Sequence, residues 1–311
     1  MSIQYRGTAR APGPLGVTPG GGGGRAPGPV GNTLWDKQSN VPPPGTAKAV
    51  KKTTMPAPTN DQDSKDVHAV PWALFGSRSP TFEDVKQAPG LANCPVASIL
   101  AAMASTGSGR SLLQKMVGET TAATLTDLSA LKADTLSSPP PGMKVSSPRY
   151  FTVKLPAGAV DVSDVLYTDD HDSGWSPLYM RDPREQSLWS AIIEKALAVQ
   201  LGSYENFDAL PLTANDFWEK IAGAKPGGFE IKKDTPLDKI IEAAKASTRV
   251  ATIGASKADE KDVKFVSAFH GHAMLGFEGG KIKLYDPAKA KTLLIAPGDF
   301  RHDFQAILFQ K

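Results

Sequence analysis

The chain of 311 residues has a single cysteine, Cys94. An internal disulfide is therefore excluded, and the fold must hold by packing alone. Histidines are also few, at five. No apolar stretch approaches the length needed to cross a membrane, and the N-terminus lacks the charged-then-apolar pattern of a secretory leader. These absences lead us to expect a soluble protein made in a reducing cytoplasm, with no membrane partner. Export by a route that does not read such a leader stays open.

Charge of one sign is scarce too, but unevenly so. The formal net charge is +3, yet residues 1–60 hold seven basic residues against one acid, Asp36, leaving 28 basic and 31 acidic residues for the remainder. The basic character belongs to the N-terminal segment, so the body gains no support for nucleic-acid binding. That segment also contains the run Gly20–Gly24 and Pro42-Pro43-Pro44. Such a composition buries too little apolar surface to offset its ordering entropy. Residues 1–66 are therefore expected to be a disordered Gly/Pro-rich tail and residues 67–311 one domain, with hydrophobic residues at 40% of the chain sufficient for a sizeable core. A flexible arm is the plain reading of the tail. The alternative is an address that docks to a delivery or export apparatus.

Within the domain, Cys94 opens an apolar run, and Pro95 follows at the first helical turn, where its missing N–H costs nothing. The pattern predicts a helix from Cys94 to about Thr106, then helices over Ser111–Val117, Thr124–Ala133, Ser187–Leu201, Ala214–Ala222 behind Thr213, and Pro236–Ala246 behind Thr235. A proline-rich break is expected at Ser137–Gly142. Strands are expected over Arg149–Leu155, Val160–Tyr167, Arg249–Ile253, Phe265–Phe269, His272–Phe277, Lys281–Asp286 and Phe304–Phe309. A helical half followed by an antiparallel β half is an α+β domain.

A thiol becomes a strong nucleophile as the thiolate, which a helix N-terminus favours. The alternative at Cys94 is a buried structural cysteine. The hairpin around Glu278-Gly279-Gly280 bears on the choice. A two-residue loop pairs Glu278 with Lys281 and turns Asp286 away from His272. A three-residue loop pairs Phe277 with Lys281 and sets His272 opposite Asp286. The second register groups Met274, Gly276, Ile282 and Leu284 on one face and is preferred. It makes His272 the general base and acid for Cys94, with Asp286 orienting it. His270 lies on the same side, and His270, His272 and Asp286 are alternatively metal ligands. His68, His171 and His302 are expected at the surface or satisfied. The oxyanion donors are expected to be the Cys94 N–H and the Gln87 side-chain amide.

Three blocks resemble the calpain family of papain-fold cysteine proteases. Gln87-Ala88-Pro89-Gly90-Leu91-Ala92-Asn93-Cys94 is similar to the family's Gln-Gly-x-Leu-Gly-Asp-Cys segment. Leu188-Trp189-Ser190-Ala191-Ile192-Ile193-Glu194-Lys195-Ala196, running to Gly202-Ser203-Tyr204-Glu205, resembles its Phe-Trp-x-x-Leu-Leu-Glu-Lys-Ala helix. Gly271-His272-Ala273 with Leu284-Tyr285-Asp286-Pro287 resembles Gly-His-Ala and Arg-Asn-Pro-Trp. The likeness spans roughly residues 80–290. It implies a papain-like fold and limited cleavage of protein substrates through an acyl-enzyme, with Cys94, His272 and Asp286 as triad. Pro95 and Ala288 stand where the family has tryptophan. No cofactor is required by this reading; the family's calcium sites use acidic loops that the sequence does not place, so calcium stays an open alternative. A deamidase or acyltransferase effector and an inactive binding module are the rival functions, and a bacterial toxin delivered to another cell is the setting the tail suggests.

Overall fold

Eleven of the twelve residues of the first helix, α1 (Cys94–Ser105), are buried. A helix apolar on every side belongs at the centre of a fold rather than on its surface, and the rest of the chain is arranged around it. The structure is a computed structural model that describes residues 67–88, 91–120, 148–171, 174–210 and 212–311. The expected tail, the helix over Thr124–Ala133 and the break at Ser137–Gly142 lie outside the described residues.

Before α1 stands a short strand, β1 (Val67–Ala69). After it come α2 (Gly107–Met116), β2 (Val117–Thr120), β3 (Tyr150–Leu155), β4 (Gly158–Ser163), β5 (Val165–His171) and β6 (Gly174–Pro177). Then follow α3 (Trp189–Leu201), α4 (Asn206–Ala209), α5 (Ala214–Ala222), β7 (Gly227–Glu230), α6 (Leu237–Ala246) and β8 (Thr252–Ser256). The chain closes with β9 (Gly271–Glu278), β10 (Lys281–Asp286), β11 (Lys291–Ile295), α7 (Pro297–Asp303) and β12 (Phe304–Phe309). The α+β class is as expected, with antiparallel pairing throughout the named sheets.

Six strands form the main sheet in the order β11-β10-β9-β8-β12-β7. Alternation along these strands feeds two separate cores. Ala273, Tyr285, Ile253, Ala255 and Ala306 join the larger core with α1, α2, α3 and α5. Met274, Ile282, Leu284, Phe304 and Ile307 join a smaller one with Ile240 and Ala244 of α6 and Phe300 of α7. The sheet thus lies between α1 on one face and α6 and α7 on the other.

Several boundaries differ from the sequence expectation for identifiable reasons. Val160–Tyr167 is not one strand. Buried Asp164 breaks it, accepting from the Arg149 backbone N–H at 2.9 Å and from Arg149 Nε at 2.7 Å. Phe265–Phe269 is not a strand either, because Lys264 and Phe265 N–H donate to the Asp303 carboxylate instead of to a neighbouring strand. β8 begins later than Arg249, since Arg249 and Val250 N–H still donate to Ala246 O and finish α6. Thr235 does not cap α6. Its Oγ1 accepts from Lys232 N–H, and Pro236 holds the cap position. Thr213 does cap α5, in a reciprocal pair with Asp216, and Gly223 ends that helix in the left-handed conformation.

Candidate active site

Cys94 is the first residue of α1 and is buried. A helix-terminal N–H at this position has no acceptor inside its own helix, so the site combines a thiol with an unpaired helical donor and the positive end of the dipole. Gly271 brings the sheet to it. A Cβ there would lie 2.6 Å from Ser98 Oγ and 3.3 Å from Cys94 O, so only glycine permits this approach of β9 to α1.

The hairpin register combines both of the expected alternatives. The turn is the two-residue Gly279-Gly280 loop with Glu278 paired to Lys281. A bulge then leaves Leu275 unpaired, so that Leu284 faces Met274 and Tyr285 faces Ala273. Gly276 beside it takes a φ of +144°, which glycine tolerates. The bulge restores, at the site end of the hairpin, the register that sets His272 opposite Asp286.

The histidine brought to the thiol is nevertheless His270, not His272. His270 Nε2 donates to Asp286 Oδ1 at 2.9 Å, and the Cys94 side chain is near enough to act on the charge of the ring. His272 shares the face of Met274 and points away from α1, with its ring edge-on to Phe304 at 5.4 Å. Its Nε2 is 3.9 Å from Asp286 Oδ2. The expected role of His272 at Cys94 is corrected on this geometry.

His270 precedes β9, and three features turn it out of strict alternation. Phe269 before it has a φ of +50°, a left-handed conformation uncommon for a side chain of this size. Ser256 of β8 holds the backbone on both sides: its Oγ accepts from His270 N–H at 2.8 Å and donates to His270 O at 3.0 Å. Gly271 after it leaves room for the helix. Asp286 is aimed by its own turn, since Oδ1 also accepts from Ala288 N–H at 3.0 Å.

The electrostatics separate the two imidazoles. Burial alone would lower the His270 pKa, but the Asp286 carboxylate and the Cys94 sulfur overcome it and push the ring up to about 9. His272 is fully buried beside the charged His270 and is pulled down to about 3. Asp286 is desolvated, yet the hydrogen bond from His270 and the nearby cationic groups hold its pKa well below the usual carboxylate range. At neutral pH the site is therefore a His270 imidazolium between Cys94 and an ionised Asp286, with a neutral His272 behind.

No protein-family model matches the chain. A search of curated proteins also finds no match.

Gln87 is held close by, with its N–H donating to Pro287 O at 3.0 Å just beyond Asp286. Its Nε2, the donor expected to serve an oxyanion, is committed to Leu91 O at 2.8 Å. Tyr285 OH donates to Val85 O at 2.8 Å and ties the same segment to β10.

Residues that patterning did not single out complete the site from α3. Glu194 is fully buried; one oxygen accepts from Asn93 Nδ2 and the other from Met180 N–H at 2.8 Å. Asn93 is the residue immediately before Cys94. Desolvation pushes the Glu194 pKa up to about 7, against the lowering effect of those two donors. Two turns of the same helix also supply Trp189, whose Nε1 donates to Asp84 Oδ2 at 2.9 Å, and Lys195, whose Nζ reaches Val165 O at 2.6 Å and Ser163 Oγ at 3.1 Å. This helix thus fastens four separate segments, around Asp84, Asn93, Asp164 and Met180.

Among the described residues, one group of three or more His, Cys, Asp or Glu side chains lies close enough to hold an ion: His270, His272 and Asp286. With two imidazoles, it is unlike the all-oxygen set that calcium takes. His68 is buried and bonds Thr168 Oγ1, and His302 bonds Asp303. Among the described residues no helix is long and apolar enough to cross a membrane.

Proposed function

We propose that the chain is a thiol-dependent endopeptidase of papain-like fold, with Cys94 as nucleophile, His270 as acid and base, and Asp286 as the group that orients His270. The supporting observation is the His270–Asp286 hydrogen bond beside Cys94, where a helix N-terminus meets two adjacent strand ends. The Cys94 thiolate, paired with the His270 imidazolium, attacks the peptide carbonyl carbon; the C–S bond forms as the C=O electron pair moves to oxygen. That oxyanion is stabilised by the Cys94 N–H at the end of α1. The intermediate collapses as the C–N bond breaks, with the imidazolium proton of His270 passing to the leaving amine. His270, now neutral, takes a proton from water; the hydroxide attacks the thioester, and Cys94 leaves as thiolate. His272 takes no part in these steps.

Protein substrates are proposed because the calpain resemblance implies limited cuts in accessible segments. With folded proteins carrying exposed loops as substrates, wild type is expected to give a few discrete fragments, and Cys94→Ala none. Fragments made equally by Cys94→Ala would overturn the assignment of the nucleophile. Ammonia release without chain cleavage would replace the peptidase with a deamidase using the same triad. Absence of both would leave a binding module. The basic tail is proposed as a delivery address, an idea dropped if deleting residues 1–60 leaves export unchanged.

A further inference from the structure

We propose that His270, His272 and Asp286 form a binding site for a divalent transition-metal ion of the zinc class, and that its occupancy silences Cys94. The observation behind it is His272. Both of its ring nitrogens are buried and neither has a hydrogen-bond partner. A buried polar ring in this state gives up its hydration with no hydrogen bond in return. Phe304 packs against the ring but offers it no acceptor or donor. An apolar side chain would fill the space without that penalty.

The lone pair of His272 is instead directed toward a ligand set. Its Nε2 is 3.9 Å from Asp286 Oδ2, an oxygen that also lacks a hydrogen-bond partner. The two imidazoles and the carboxylate each offer one ligand atom, and all of these lie within 4.8 Å of one another. Two imidazole nitrogens and one carboxylate oxygen suit zinc, which takes such three-residue sets with a fourth position open.

Binding has a defined charge balance. The ion takes the place of the proton on His270 Nε2, and that proton goes to solvent. Lys289, whose Nζ is 3.3 Å from Asp286 Oδ2, is half exposed and moves out to water. His270 is then a neutral metal ligand whose remaining ring proton is held too tightly to be given up, so the imidazolium that activates Cys94 is lost. The silencing rests on the thiol-hydrolase reading; the metal binding does not.

The test uses the full chain with Co²⁺ as a spectroscopic probe and Zn²⁺ as competitor. Expected are saturable one-to-one Co²⁺ binding with visible bands of a four-coordinate ion, and their loss on adding Zn²⁺. Zn²⁺ should also slow alkylation of Cys94 at least tenfold, each protein being compared with its own metal-free rate. In His272→Phe, checked for folding by circular dichroism, both effects should vanish. Zn²⁺ should shift the His272 ring signals in wild type, a readout that needs no variant. No saturable Co²⁺ binding, unmoved His272 signals, or slowing that persists in folded His272→Phe would each overturn the site. If metal-free Cys94 alkylates no faster than a free thiol, the hydrolase reading fails while the Co²⁺ spectrum still decides the metal site.

Discussion

His270→Ala lowers the rate at which an epoxide thiol probe alkylates Cys94 by about 10²–10⁴-fold, the range that a positioned acid–base group contributes. The imidazole removed is the one that bonds Asp286 and interacts electrostatically with Cys94. With it gone, Cys94 keeps only the helix N-terminus, which is worth far less. His272→Phe, by contrast, lowers the rate by less than about tenfold, because its ring faces Phe304 and not the sulfur. Mass mapping of the adduct checks both variants. The pH profile carries a further signature. The His270 pKa is raised by its partners, so the ion pair and its stabilisation are fully present below the ordinary imidazole value of about 6.5. Both are lost as pH rises through about 9, and reactivity that depends on the imidazolium falls across that window.

Glu194→Ala has the largest expected effect on stability, about 3–5 kcal/mol in acid. Two buried donors, Asn93 Nδ2 and Met180 N–H, lose their acceptor, at about 1–3 kcal/mol each, and a cavity opens within α3's packing. The pH dependence identifies the mechanism. Burial raises the Glu194 pKa from an ordinary 4.5 to about 7. Wild-type stability from this group is complete below pH 4.5 and declines as pH rises through 7. The variant has no such group, so its deficit relative to wild type shrinks by roughly 3 kcal/mol between those limits. Chemical denaturation at pH 4.5 and pH 8 measures this. A deficit independent of pH would mean that Glu194 ionises in the folded protein as it does unfolded. Because Asn93 adjoins Cys94, the same variant is expected to alkylate more slowly even where it remains folded.

Much of the site was legible in the residues, but the choice of histidine was not. Cys94 before Pro95 and an apolar run marked a helix start, and Asp286 before Pro287 marked a strand end; both stand there. The limits of β10, α5 and β12 followed from alternation and caps. Alternation also put His270 and His272 on one side and favoured the one nearer the strand. What decides between them is local and non-periodic: the left-handed Phe269, the two hydrogen bonds of Ser256, and the contact of Gly271 with Ser98. None of these is a pattern in sequence. The bulge at Leu275 was equally hidden, although Gly276 beside a Gly-Gly turn is the residue that permits it. The clamp between Glu194 and Asn93 joins residues about a hundred positions apart. A carboxylate on a helix rich in apolar side chains was the signal for it.

The most direct test of the account is the titration of the histidine rings by NMR, in wild type and in Cys94→Ala. With five histidines in the chain, substitution assigns each ring. His270 should remain protonated through neutrality and titrate near pH 9, and should move down when the thiol is removed. His272 should stay neutral far into acid. The reverse assignment, or a His270 that titrates near 6.5 and ignores the loss of Cys94, would contradict the claim that His270 is the charged partner of the nucleophile.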